Sequence, residues 1–321
     1  MISARGLVRT FSTGRGKAKS DVRAVDEVDL DVADGEVVAF LGPNGAGKTT
    51  TLRILTTLLR PDAGTATVAG HDVVTDAAAV RRVIGYVSQT GGAFSQARAG
   101  DEVVDHAMLY GMSRAEATRR GQELFAQLDL DGLWTRTPKA MSGGQRRRLD
   151  IVMGLTHQPR LMFLDEPTTG LDPQARSNLW THIARLRAEQ GTTIFLTTHY
   201  LDEADHLADR IVIIDHGRIV ASDTADNLKS QVAGDLIEVE VAEAGEVASA
   251  VRRFAALSSQ EPSVQDRRVS VRVERAAPVL PAILRGLQDD GTELVSIEVH
   301  RPTLDDVFLN LTGRSLREEG A

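Results

Sequence analysis

The 321-residue chain contains no cysteine. This excludes a disulfide framework, a thiolate metal site, a catalytic thiol and prenyl or palmitoyl anchoring, and it suits a reducing cytoplasm. Long apolar runs are missing too. Clean ones such as Val37–Leu41 and Ile211–Ile214 fall far short of the ~20 residues that a membrane-spanning helix needs. The opening residues Met1–Arg5 run into an alternating segment broken by Arg9, without the apolar core of a secretory leader, so no secretion by that route is expected. There is no excess of positive charge either. Against 45 Asp and Glu stand 37 Lys and Arg, a net charge of −8, which disfavours a general nucleic-acid-binding surface. What is present is 42% hydrophobic residues, enough for a core in each of the about two domains that this length predicts.

Apolar/polar alternation predicts strands over 2–9 and 28–32, with a solvated Gly-, Ser- and Lys-rich loop over 12–20 between them. Residues Glu36–Leu41 read as a compact strand, followed at once by a glycine-rich segment over 42–50 and an amphipathic helix to Leu59. Helical spacing of Val103, Ala107, Met108, Leu124, Leu128 and Leu130 predicts a helical subdomain within about 90–155. Strands return at 161–164, 193–197 and 211–214, separated by helices over 175–189 and 202–208. Such alternation implies a largely parallel α/β sheet. Beyond Ala233-Gly234-Asp235 the units shorten: strand 236–242, helix 246–257, paired strands near 262–265 and 269–274, helix 277–288 and strand 293–299. That βαββαβ order predicts a small ferredoxin-like α+β domain, and hence a division into 1–234 and 235–321. Six of the eight excess negative charges fall in the second part, so the acidity says little about the glycine loop.

Residues Gly42-Pro43-Asn44-Gly45-Ala46-Gly47-Lys48-Thr49 fit G-x-x-x-x-G-K-[ST] in the strand–loop–helix context that gives this pattern meaning. The glycines let successive N–H groups converge on phosphate oxygens, and the helix start adds partial positive charge. Lys48 reaches the β/γ-phosphates and Thr49 offers a hydroxyl to Mg²⁺. A second element, Leu161-Met162-Phe163-Leu164-Asp165-Glu166, is an apolar strand ending in two acids. Asp165 suits Mg²⁺, a hard cation that prefers oxygen. Glu166, on the opposite side of an extended chain, is placed to orient or deprotonate a water. Taken alone, two acids at a strand end also read as a turn. A third element, Met141-Ser142-Gly143-Gly144-Gln145, opens an amphipathic helix and presents N–H donors for a second anion. In isolation it reads better as an ordinary capped helix. One nucleotide hardly needs two such sites on one chain, whereas in a two-fold dimer each helix start closes over the other copy's nucleotide.

In this order, the 42–50 loop, Gln89, Ser142–Gln145, Asp165-Glu166, the Gly170-Leu171-Asp172 turn and His199 resemble an ABC-transporter ATP-binding subunit over nearly all of the first domain. The resemblance implies a P-loop NTPase fold binding ATP and Mg²⁺, with Phe11 stacking on adenine and Thr50 at the α-phosphate. It further implies that Gln89 couples the metal and water to a membrane partner, that His199 contacts the γ-phosphate, that Glu166 is the catalytic base and that Asp172 lies at the dimer seam. Thr49, Gln89 and Asp165 are the implied metal neighbours. Met141 stands where the family usually has Leu, a volume-conserving change. The insertion after Phe11 is a second departure.

The distal region, closing with Arg301-Pro302-Thr303-Leu304-Asp305-Asp306-Val307-Phe308-Leu309-Asn310-Leu311-Thr312-Gly313, is similar to the C-terminal domain of the daunorubicin-resistance-type subgroup. That implies a homodimer at the cytoplasmic face of the membrane, powering export of a hydrophobic drug, antibiotic or lipid through a separate permease. Val307, Phe308 and Leu311 form an apolar stripe that fits packing or dimer contact. The competing class is a soluble ABC ATPase acting on ribosomes or nucleic acid. Such proteins usually carry two ATPase units or a long coiled-coil insertion, and neither is seen. A P-loop kinase or GTPase is opposed by Ser142–Gln145. Arg146-Arg147-Arg148 spread around a helix without aromatic platforms, which fits a solvated or dimer-facing surface better than nucleic acid. His199, Asp202, Glu203, Asp205 and His206 do not share one helical face as metal ligands would. Trp134, Trp180 and Met108 read as core or partner-contact residues.

Overall fold

In the computed structural model the described residues are 1–13, 20–94, 96–231, 234–256 and 261–313. The centre of the expected 12–20 loop and the end of the expected 246–257 helix lie outside them. The chain divides into two units, Met1–Ala225 and a second from Asp226 onward.

The first unit opens with a hairpin of β1 (Ile2–Thr13) and β2 (Ser20–Val32), longer than alternation alone predicts because the strands pair antiparallel through several register shifts. β3 (Val37–Leu41), buried throughout, leads into α1 (Lys48–Leu55). β4 (Ala63–Val68) and the short β5 (His71–Asp72) complete an antiparallel sheet of order β2-β1-β4-β5. After α2 (Ala77–Val83) and β6 (Ile84–Val87) come α3 (Ala99–Leu109), α4 (Arg114–Gln127) and α5 (Gly143–Leu155). β7 (Leu161–Asp165), α6 (Pro173–Gln190), β8 (Thr193–Thr198), α7 (Leu201–Leu207), β9 (Arg210–Asp215) and β10 (Arg218–Asp223) finish the unit.

The six-stranded sheet runs β10-β9-β3-β8-β7-β6, parallel except for the β9–β10 hairpin. Its inner strands β3, β7, β8 and β9 are buried, largely apolar runs because the parallel part of the sheet is covered on both faces. One core joins Leu7, Val28 and Leu30 of the antiparallel sheet to Phe40, Phe163 and Phe195 of the parallel one, with Leu52 and Ile54 of α1. The Phe195 ring lies 5.5 Å from Phe40 and 5.7 Å from Phe163.

The helical region has its own cluster of Val104, Ala107 and Ala117, with Met112 and Trp134 packed against it. Gly100 and Gly121 are required there, since a Cβ on either would approach the Trp134 indole to 2.2 Å or 2.8 Å. Trp134 is therefore an internal wedge, also edge-on to Phe125 at 4.9 Å. Met108 is 42% exposed.

α8 (Ala225–Ser230) leads into the second unit. β11 (Asp235–Val241), α9 (Val247–Ala255), β12 (Ser263–Gln265), β13 (Arg268–Val273), α10 (Ala276–Asp289) and β14 (Leu294–His300) give the βαββαβ order, and α11 (Leu304–Thr312) follows. The sheet order β12-β13-β11-β14, antiparallel throughout, is the ferredoxin-like arrangement. Ile237, Val239 and Val241 point to one face and bury against Phe254 of α9 and Ile283 and Leu287 of α10. On α11, Val307 and Phe308 are buried whereas Leu311 is exposed, which narrows the expected apolar stripe.

Phe195→Ala should cost the first unit about 3–5 kcal/mol, because it opens a cavity between two other rings. Val220→Ala, at a half-exposed site, should stay within about 0.5 kcal/mol in the same urea titrations. Equal midpoints for the two variants would contradict this account of the core.

Candidate nucleotide site at the carboxyl ends of the parallel strands

Four parallel strands end at one edge. Register pairs Leu41 with Thr198, Asp165 with Thr197, and Val87 with Leu164. The loops leaving that edge carry Gly42–Gly47, Gln89, Glu166 and His199. In open α/β sheets the crevice outside these carboxyl ends is where ligands bind.

The 42–47 loop needs its glycines for space. A Cβ at Gly42 would lie 2.3 Å from the Ile214 carbonyl, and one at Gly47, whose φ is 107°, would lie 2.2 Å from that of Ala24. Lys48, only 4% exposed, donates from Nζ to the carbonyls of Gly42 at 2.7 Å and Pro43 at 3.0 Å. Its ammonium also lies 3.3 Å from Glu166 Oε1. The Thr49 hydroxyl donates to Asp165 Oδ1 at 3.1 Å, and the Thr197 hydroxyl to the same oxygen at 2.7 Å.

Glu166 is the hub. Gln89 Nε2 donates to its Oε2 at 2.9 Å, the Thr169 hydroxyl donates at 3.1 Å, and His199 Nδ1 lies 3.3 Å away. Burial pushes this carboxyl's pKa up, but His199 and Lys48 outweigh burial and hold it at about 2. Its orientation does not come from strand alternation, as the sequence suggested. β7 stops at Asp165, and Glu166 takes a left-handed φ of 43°, which turns the side chain toward Lys48. Its N–H is held by the carbonyl and hydroxyl of Thr197 at 3.1 and 3.0 Å.

The remaining predicted residues sit on other elements. Thr50 follows Thr49 in the first turn of α1. Ser142 caps α5 in a reciprocal box, its Oγ accepting from Gln145 N at 3.2 Å while its N–H donates to Gln145 Oε1 at 2.9 Å. Gly144 packs tightly, since a Cβ would come within 3.2 Å of Ala175. Asp172 caps α6 by accepting from Ala175 N at 2.8 Å. Phe11, 38% exposed on β1, has the Arg9 guanidinium 5.1 Å from its ring centroid.

Three contributors were not singled out from sequence. Thr197 and Thr169 bond the two acids, and strand pairing places Thr197 opposite Asp165. Arg147 departs from the expected solvated or dimer-facing surface: it is 7% exposed and donates to the carbonyls of Ser88, Asp165 and Pro167. Its spacing from buried Ile151 and Leu155 marks the inward helical face, a signal present in the sequence. Of the residues weighed as metal ligands, Glu203 is fully buried and accepts from Trp180 Nε1 at 3.2 Å, while His206 stacks on the Trp180 ring. Burial raises the Glu203 pKa. Among the described residues no three His, Cys, Asp or Glu side chains gather as a metal site, and no helix is long and apolar enough to cross a membrane.

A glycine loop, a buried lysine and two acids at this edge define a P-loop nucleotide hydrolase. Residues 25–169 match the ABC transporter family, and residues 224–312 match the C-terminal domain of DrrA1-3-like ATP-binding proteins. The daunorubicin resistance ATP-binding protein DrrA3 of Streptomyces coeruleorubidus is 43% identical over 96% of this chain and 97% of that protein. The daunorubicin/doxorubicin resistance ATP-binding protein DrrA of Streptomyces peucetius is 42% identical over 94% and 92%. Among solved structures, the ATP-binding cassette MJ0796, a dimer bound to ADP and phosphate after hydrolysis, superposes with a TM-score of 0.63 at 25% identity, covering 70% of this chain and 98% of that one. The chain belongs to the ABC-transporter ATP-binding proteins of the drug-resistance branch, as an ATP-binding and ATP-hydrolysing export subunit.

The lowered Glu166 pKa has a testable sign. The stabilisation from its charged partners is full above the ordinary carboxylate value and fades as pH falls toward the depressed one. Between about pH 6 and about pH 3, wild type should lose more stability in urea titrations than Glu166→Gln, which lacks this group. Parallel curves for the two proteins would refute the ion-pair account.

Proposed function

We propose that the chain hydrolyses ATP with Glu166 as base, between two copies of itself, and thereby drives export of a hydrophobic drug, antibiotic or lipid through a separate permease. One observation carries the reading: Lys48, Gln89, Thr169 and His199 all converge on Glu166 at the glycine-loop edge.

The backbone amides of 42–49 and the ammonium of Lys48 receive the phosphates. Mg²⁺ fits the oxygen-only donor set of Thr49 and Asp165, with Gln89 beside it, since its preference is for hard oxygen ligands. Bound there, it supplies neutralisation of phosphate charge. A γ-phosphate that draws Lys48 and His199 toward itself removes two groups now depressing the Glu166 pKa, and its own negative charge raises that carboxylate's proton affinity. Glu166 then accepts a proton from the attacking water, while Gln89 and Thr169 hold the carboxylate's direction. His199 donates toward the departing phosphoryl group.

The second copy contributes Ser142–Gln145. The first-turn N–H groups at Gly143 and Gly144 have no intrahelical acceptor, so the start of α5 suits a phosphate presented from outside its own chain. The dimeric neighbour bound to ADP and phosphate supports pairing of two copies around nucleotide. In this reading Asp172 lies at the seam and Phe11 faces adenine. Large exposed apolar side chains, Phe94 five residues after Gln89 and Leu109 at the end of α3, suit contact with a permease and hence a place at the cytoplasmic membrane face. The cargo class follows from the resistance proteins that this chain resembles.

Glu166→Gln should keep ATP and a tightened dimer while turnover falls by at least about 10²-fold. Phosphate release and light scattering with ATP measure the two effects. Wild-type hydrolysis in this variant, or nucleotide held only by monomers throughout turnover, contradicts the proposal.

A further inference from the structure

The buried guanidinium of Arg147 lies outside the phosphate chemistry described above, yet its contacts surround it. Nε donates to Pro167 O at 2.8 Å, Nη2 to Asp165 O at 2.9 Å and Nη1 to Ser88 O at 2.5 Å. Asp165 and Pro167 flank Glu166 directly, and Glu166 has the left-handed φ of 43° that non-glycine residues rarely adopt. Such a conformation persists when its surroundings over-determine it. Holding the carbonyls on both sides of the residue does so. A planar fork of donors can bridge three carbonyls in one geometry, which a lysine ammonium cannot reproduce.

One helical turn further along α5, Asp150 Oδ1 accepts from the backbone N–H groups of Gly92 at 2.9 Å and Ala93 at 3.2 Å. A Cβ at Gly91, whose φ is 78°, would come within 2.6 Å of the Asp150 carboxylate, so this approach depends on glycine. α5 therefore grips the 88–93 segment at both ends, a carbonyl by a cation and amides by an anion. Gln89, between the grips, is the residue that donates to Glu166.

We propose that Arg147 and Asp150 form a positioning latch, which ties the helix opened by Ser142–Gln145 to the backbone of Glu166 and to the Gln89 segment. It deepens the reading of Glu166 as base and rests on it. Through this latch a shift of α5 is transmitted to the carboxylate, so engagement of the helix start by phosphate fixes the aim of the base in the same chain. Neither side chain touches the substrate in this arrangement; both act through the backbone they hold.

The full chain carries the test, with kcat from phosphate release at saturating ATP and ATP affinity from equilibrium dialysis. A misplacement of about 1 Å in a reacting group costs on the order of 10²-fold in rate. Arg147→Met should therefore lower kcat by about 30- to 100-fold while the ATP Kd stays within about threefold. Arg147→Lys, which keeps the charge but not the fork, should remain at least about tenfold down. Asp150→Ala should lose about 3- to 10-fold in kcat, and Asp150→Asn, which retains an acceptor oxygen, should recover most of it. A wild-type kcat in Arg147→Met, a parallel loss of affinity and rate, or equal rates for Asp150→Asn and Asp150→Ala would overturn the latch. If Arg147→Met does not fold, the Asp150 pair decides alone. A Glu166→Gln protein that still turns over refutes the base itself, whereas an inactive Glu166→Gln beside a fully active Arg147→Met refutes only the latch.

Discussion

The register of four parallel strands is the constraint on which the rest depends. Because Leu41, Thr198, Asp165 and Val87 end at one edge, the loops after them deliver a lysine, a histidine, a glutamate and a glutamine to one spot. A slip of one residue in any strand would reverse its side chains and bury the wrong set. The apolar runs therefore do more than fill the core, since the Phe40, Phe163 and Phe195 rings lock the strands whose ends must coincide.

That edge holds charge in a place where charge is expensive. Lys48 and Glu166 are 4% and 6% exposed, and burying an ion pair of this kind brings little net stability even when the geometry is good. The pair is better understood as a store of electrostatic potential. Each partner is held ready for a ligand of opposite or competing charge, and the surrounding donors keep the desolvated carboxylate from needing a proton. The left-handed Glu166 adds local strain to the same spot, another cost that stability alone does not explain.

The elements read correctly from sequence are those dictated by local chemistry. β3, β7, β8 and β9 are apolar runs of strand length, the 42–49 loop has a glycine pattern that only close backbone approach requires, and the distal strands alternate cleanly. What escaped was set by distant partners. β6 is Ile-Gly-Tyr-Val directly after α2 with no turn between them, so only its pairing with β7 makes it a strand. β4 is Ala-Gly-Thr-Ala-Thr-Val, weak in itself and formed by pairing with β1. Arg147 was misplaced because the three successive arginines, spread around the helix, were assigned together to a solvated or dimer-facing surface, although helical phase separates the exposed first from the buried second. The turn at Glu166 has no sequence signature, since nothing in Asp-Glu-Pro demands a positive φ.

The same distinction bears on how two copies would communicate. Ser142 Oγ and Gln145 Oε1 each accept from the other's backbone N–H, which fixes both side chains against the first turn, so the start of α5 offers a phosphate its backbone N–H groups beside side chains already held in place. Backbone recognition is sensitive to rigid-body placement of the helix, because no rotamer can adjust to a misplaced ligand. A helix that, as proposed, meets phosphate at its first turn and holds the Glu166 backbone through its buried face would turn a small displacement into a change of alignment at that carboxylate. Two catalytic edges coupled in this way have a physical reason to fire only when both helix starts are seated, and that reason lies in the stiffness of α5 and the contacts along it.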